Sequence, residues 1–97
     1  VMPSFPGGQS ALMQYLGNNI QYPVKAQEND VQGRVIINFV VENDGGISHV
    51  KVAKSADPAL DREAMRVVET MPKWIPGKQN GECVRVRYSV PVVFRLE

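Results

Sequence analysis

Asp44-Gly45, set between two β-branched runs, constrains this chain more than any other feature. Asp-Gly is a strong signal for a two-residue hairpin loop, because both loop positions of the favoured turn need positive φ. Arg34 to Glu42 precede it and Ile47 to Lys54 follow it, and both runs read as strands. With Asp44-Gly45 as the loop, Phe39 stands opposite Val50 and Ile37 opposite Val52. Opposed residues share a face. Val35, Ile37, Phe39, Val41, Val50 and Val52 then form one apolar face. Ile36, Asn38, Val40, Glu42, His49 and Lys51 form a mixed one. A slip of one residue would scramble this segregation, so turn and pattern support each other.

A third strand is predicted from Val84 to Leu96, where apolar residues from Val84 through Val90 to Leu96 alternate with Arg85, Arg87, Ser89, Pro91, Val93 and Arg95. Between the hairpin and this strand, Asp57-Pro58 supplies a cap and a proline at the first helical position. The helix runs to about Met71, with Leu60, Ala64, Val67, Val68 and Met71 on one stripe, and Pro72 ends it. Upstream, Val1 to Gly8 is an extended lead-in rich in Pro and Gly. Ser10 to Leu16 reads as a short helix stopped by Gly17-Asn18-Asn19, and Val24 to Glu28 as one or two helical turns after Pro23. A right-handed crossover through the long helix lets the last strand pair antiparallel only with the first. The predicted fold is a two-layer α+β domain: a three-stranded antiparallel sheet, order second-first-third, with two helices on one face. Its 97 residues suffice for one core. Residues 1–20 form an N-terminal extension with the short helix, and residues 21–97 the core domain.

Composition narrows function by exclusion. Eleven Lys+Arg against ten Asp+Glu leave a formal charge of +1, without the basic excess of a nucleic-acid binder. One cysteine, Cys83, and one histidine, His49, exclude an internal disulfide and a Cys/His zinc cage. No cofactor or metal is expected. His49 lies mid-strand without a carboxylate pattern around it, and Cys83 has no second histidine for a dyad. Gly77-Lys78 lacks the preceding glycine spacing of a phosphate loop. Asp57, Asp61 and Glu63 fit a cap and an acidic first turn. Lys73, Lys78, Arg85, Arg87 and Arg95 fit a solvated face, and Trp74 a lid on the edge of the core. No catalytic site emerges, so the chain is expected not to be an enzyme. No apolar run approaches the ~18–20 residues of a membrane span, and no signal peptide is present. Because the chain opens with Val1, it is expected to be a piece of a longer protein, with any anchor upstream.

What remains is shape. The last strand is far longer than the usual ~5–6 residues and lies at a sheet edge, where a long strand is a hazard or a docking rail. Pro91 has no N–H, which places its nitrogen away from the neighbouring strand. Val86, Tyr88, Val90, Val92 and Phe94 then bond inward, and Arg87, Ser89, Val93 and Arg95 turn their backbone groups outward. Arg87, Ser89, Pro91, Val93 and Arg95 are the candidate peptide-binding residues.

Several short patterns occur together: Tyr22-Pro23-x-x-Ala26-Gln27, Gly33-x-Val35, Asp44-Gly45, Val50-x-Val52, Ala64 in the helix, and Trp74-x-Pro76-Gly77-Lys78. In this order and spacing the chain resembles the C-terminal domain of the TonB family, over about Gln21 to Leu96. Phe5-Pro6-Gly7-Gly8 and Met71-Pro72-Lys73-Trp74 are similar to the variant common in Bacteroides-type bacteria. The resemblance implies a periplasmic module tethered to the inner membrane by an upstream helix and a proline-rich spacer. It implies that the domain binds the TonB-box peptide of outer-membrane receptors by strand addition. It implies force passed on from inner-membrane proton-channel motor proteins, for uptake of iron chelates, cobalamin or glycans. A homodimer is among the states open to such a domain. Asn19, Gln21 and Tyr22 are the implied receptor contacts. Family members carry a glutamine three residues before the Tyr-Pro pair, where Asn19 keeps the amide on a shorter stem. Such domains also occur fused to membrane metallopeptidases and other envelope proteins, so a sensory or protein-interaction role is the alternative.

Overall fold

The computed structural model describes residues 1–96. Strands β1 (Gly33–Val41), β2 (Ile47–Lys54) and β5 (Val86–Phe94) form an antiparallel sheet in the order β2-β1-β5. Helices α1 (Gly8–Asn19), α2 (Val24–Glu28) and α3 (Pro58–Glu69) accompany it, and a small hairpin joins β3 (Gly77–Gln79) to β4 (Glu82–Val84). The expected class and strand order hold.

Alternation along β1 explains the layering. Val35, Ile37, Phe39 and Val41 are buried, while the residues between them face away from the helices. Asp57 caps α3 by accepting the Ala59 N–H at 3.0 Å, with Pro58 at the first turn. Leu60, Ala64, Val67 and Val68 then bury the apolar stripe of α3 against the sheet. Leu12 and Leu16 of α1 join the same core, as does Phe5 from the lead-in. The lead-in is held by backbone bonds between Ser4 and Ile75 and between Val1 and Lys78. The core therefore reaches into the first 20 residues.

Five expectations need correction. The hairpin loop holds three residues, Asn43-Asp44-Gly45, because the Glu42 N–H bonds the Gly46 carbonyl at 2.8 Å and the Gly45 N–H bonds the Glu42 carbonyl at 2.9 Å. Gly45 has φ +88°, and a Cβ there would lie 2.2 Å from the Trp74 carbonyl oxygen. Trp74 donates its own N–H to Gly45 at 2.8 Å, so turn and crossover are locked together.

The extra loop residue shifts the register. Val41 pairs with Ile47 and Val40 with Ser48, yet Asn38 pairs with Lys51 and Ile37 with Val52. Phe39 thus faces both His49 and Val50. His49, at φ +52°, is the extra residue of a β-bulge. Beyond it the expected pairing returns at Asn38 and Ile37, because one additional loop residue and one additional strand residue cancel, until a second shift sets Ile36 opposite Lys54.

The third strand is not continuous from Val84 to Leu96. β1 ends at Val41, opposite Val86, so residues before Val86 have no neighbour in the main sheet. Glu82–Val84 pair instead with Gly77–Gln79 across Asn80-Gly81, whose φ values of +53° and +80° suit a two-residue hairpin turn. Arg85 is the break between the two strands.

Helix α1 continues through Gly17, Asn18 and Asn19 rather than stopping before them. Its end comes at Ile20, which is extended, and the Asn19 side chain donates to the Tyr15 carbonyl at 2.8 Å. At the other end of the core Trp74 is 3% exposed, packed among Phe5, Phe39 and Tyr88 rather than lying over them as a lid.

Candidate functional site

β5 pairs with β1 through nine consecutive residues, from Gly33 opposite Phe94 to Val41 opposite Val86, without a shift. Among the described residues no strand lies on its other side. Val90, Val92 and Phe94 are buried and Tyr88 is half-buried, while Arg87, Ser89, Pro91, Val93 and Arg95 are exposed. The five candidate peptide-binding residues therefore line one face of an open edge strand. Ser89 donates its hydroxyl to the Asn38 carboxamide across the ladder. Pro91 stands opposite Ile36. A residue without an N–H belongs at a non-hydrogen-bonded pair. On that footing Tyr88, Val90 and Val92 bond to β1, and Ser89 and Val93 present free backbone groups outward.

β2, at the opposite edge, is built differently. The His49 bulge interrupts its register, and a second shift falls between Ile36 and Ile37. Lys51 and Lys54 stand exposed on it. Bulges and lysines are the usual means of making an edge unfit for pairing.

The candidate receptor-contact residues lie where α1 ends. Asn19 and Gln21 are exposed and Tyr22 is half-buried. The segment is fastened to α3: Arg66 donates to the Asn19 carbonyl at 2.8 Å, and the Gln21 N–H reaches Glu63 Oε2 at 2.6 Å. Arg66 also grips Glu63 with Nε at 2.8 Å and Nη2 at 2.6 Å. These bonds, the Arg66 ones foremost, hold the Glu63 carboxyl below the usual carboxylate range. The Asn19 amide nitrogen is engaged with the Tyr15 carbonyl.

Tyr22 is the link between the two candidate regions. Its ring meets Phe94 of β5 edge-on, with centroids 5.6 Å apart and planes at 89°. Its hydroxyl donates to the Val31 carbonyl, and desolvation followed by the charge of Asp30 raises its pKa. Thus Tyr22 and the C-terminal half of β5 come together, while Arg87 lies toward the far end of the strand. Beside Tyr22, a cleft of 420 Å³ is lined by Gln21, Pro23, Val24, Arg62 and Arg66.

Two features escaped the sequence reading. Glu42 accepts Arg85 Nε at 2.6 Å and Nη2 at 3.2 Å, as well as the Ser48 hydroxyl. The Arg85 bonds, then the Ser48 bond, depress the Glu42 pKa. Arg85 and Glu42 are 43 residues apart, and nothing local announces such a pair. The second is a hollow of 530 Å³ on the helix-free face, lined by Asn38, Val40, His49, Lys51, Arg85 and Arg87. Among the described residues no cluster of His, Cys, Asp and Glu could hold a metal ion, and Cys83 is exposed. Among the described residues no helix is long and apolar enough to cross a membrane.

These features define a small α+β domain with one regular, open sheet edge. The chain belongs to the family of Gram-negative bacterial TonB protein C-terminal domains, whose model matches residues 18–96. Protein TonB of Haemophilus influenzae is 35% identical over 75 residues, covering 70% of this chain and 28% of that protein. Protein TonB of Helicobacter pylori is 24% identical over 78 residues, covering 79% of this chain and 26% of its own length. The chain thus spans about a quarter of the curated relatives it matches. Two NMR solution structures of the Helicobacter pylori TonB-CTD share the fold, with TM-scores of 0.69 and 0.67 at 21% and 20% identity. Both comparisons cover 88% of this chain, and they cover 77% and 89% of the respective structures.

Proposed function

We propose that this domain is a non-enzymatic energy-transduction adaptor that takes up the TonB box of an outer-membrane receptor as an added strand on β5. Family membership supports the class. The observation that carries the docking site is the unbroken nine-residue register of β5, with its outer side open. Strand addition draws affinity from main-chain bonds and specificity from alternate side chains. Ser89 and Val93 offer the main-chain groups on either side of Pro91, Arg87 and Arg95 flank them, and Asn19, Gln21 and Tyr22 touch the receptor beside the peptide. In the whole protein the domain works in the periplasm, held to the inner membrane through a segment upstream. It relays force there from a proton-driven motor.

Amide exchange tests this directly. In dilute free protein Val90 and Val92 exchange slowly and Ser89 and Val93 quickly. A synthetic TonB-box peptide protects Ser89 and Val93 and leaves the inward pair nearly unchanged. Protection of Ser89 and Val93 in the free monomer would sink the parity. Peptide binding that leaves them unprotected would sink strand addition at this edge.

A further inference from the structure

The two sheet faces differ in charge as well as in cover. The face without helices can be laid out from the register: Val40 lies between Ser48 and Arg87, Asn38 between Lys51 and Ser89, Ile36 between Lys54 and Pro91, and Arg34 beside Val93. Arg34, Lys51, Lys54 and Arg87 are all exposed, and none has an ion-pair partner among the described residues. Glu42, at the end of this face, is already taken by Arg85. The whole chain carries a formal charge of only +1. Four cations without an ion pair thus share one uncovered surface. The 530 Å³ hollow lies within this surface, walled by His49 and Lys51 on β2 and by Arg85 and Arg87 toward β5.

We propose that the helix-free sheet face reads acidic side chains of the docked strand, with Arg87 as the principal contact. This rests on strand addition at β5. Residues directly opposite one another on paired strands point to the same face. A partner residue opposite Arg87 therefore lies over the helix-free face, within reach of the guanidinium. Its immediate neighbours in the partner point to the helix side, opposite Val86 and Tyr88, which are half-buried and present apolar edges. The occupant is accordingly a two-faced peptide, with a carboxylate on the face of Arg87 and apolar residues on the alternate positions. An exposed ion pair adds little affinity by itself. A patch of like charge, however, speeds encounter with an acidic partner and repels a basic one, so the signature includes salt dependence.

The test uses synthetic nine-residue Val/Thr peptides carrying a single Glu or Lys at each position in turn. Titration at low and at high salt gives the affinities. Glu is favoured over Lys only at positions of one parity, by about tenfold at the position opposite Arg87, and high salt shrinks the gap. Arg87→Glu reverses the preference there, while Lys73→Glu, away from this face, leaves it intact. Equal preference at both parities marks general attraction of polyanions and overturns the positional assignment. A preference unmoved by Arg87→Glu overturns the role of Arg87. Peptides N-methylated at alternate positions separate the two layers. If they bind as tightly as the parent, strand addition itself fails. If N-methylation abolishes binding while the charge swap is silent, only the electrostatic reading falls.

Discussion

The two edges of one sheet are treated in opposite ways. β2 is interrupted twice in eight residues, once by His49 at positive φ, and it carries Lys51 and Lys54. β5 runs nine residues in register and is missing a single N–H, at Pro91. Both strands pair with the same central strand, but only β5 buries side chains fully, at Val90, Val92 and Phe94. That contrast is what supports β5, rather than β2, as the proposed docking edge. On that proposal Pro91 and Arg87, with Arg95 just beyond the strand, work against pairing of two copies while leaving rungs for a shorter partner.

The largest effect expected concerns what the edges share. Phe39→Ala empties the centre of the core, where Phe39 meets Trp74 and Tyr88, and costs about 3–5 kcal/mol. Chemical denaturation measures the loss, and amide protection falls on β2 and β5 together. A loss below about 1 kcal/mol would mean that Phe39 is not central. Protection lost from one strand alone would show that the edges are energetically separate.

Deleting His49 attacks the difference itself. Without the bulge residue the three-residue loop leads into a ladder that is regular as far as Ile37 opposite Val52, with Phe39 opposite Val50 and the buried face unchanged. The variant folds and gains a second pairable edge, seen as concentration-dependent self-association by sedimentation velocity. A variant monomeric over a hundredfold concentration range would show that the bulge is not what guards β2.

The smallest effect lies where the edges converge. Glu42 joins Ser48 of β2 to Arg85 just ahead of β5. Its pKa is lowered in the folded protein, so its contribution is fully present above the unfolded-state pKa and is lost as pH falls through the folded one. Glu42→Gln therefore narrows the gap in urea midpoint between roughly pH 6 and pH 3.5. An unchanged gap would assign the acid sensitivity elsewhere, Glu63 being the next carboxylate held in the same way.

The sequence made the sheet legible because period and turn chemistry act locally. Alternation in Arg34–Glu42 and Val84–Leu96, with the crossover rule, sufficed for the strand order. It also marked the four exposed residues of β5, with Arg95 just beyond, and the junction at Tyr22. The hairpin loop was misread, yet Ile37 still met Val52, because the bulge at His49 offset the error. A histidine at positive φ has no sequence signature, since its conformation is imposed by register on both sides. The β3–β4 hairpin did have one: Asn80-Gly81 is as good a turn signal as Asp44-Gly45. It was hidden because alternation ran on through Val84, and only the end of β1 decides where a partner runs out.

Trp74 has one more consequence. It is the sole indole in the chain, and its ring lies 5.7 Å from that of Phe5 in the lead-in, 5.3 Å from Phe39 in β1 and 4.9 Å from Tyr88 in β5. Its Nε1 donates to the Met71 sulfur at 3.4 Å. An excited indole responds to water and to nearby polarisable sulfur, and it collects energy from a tyrosine at this range. The protein thus carries its own optical gauge. One emission band reports the seating of the N-terminal segment, the integrity of the central strand and the strain reaching Tyr88 from whatever occupies the outer edge, with no label attached.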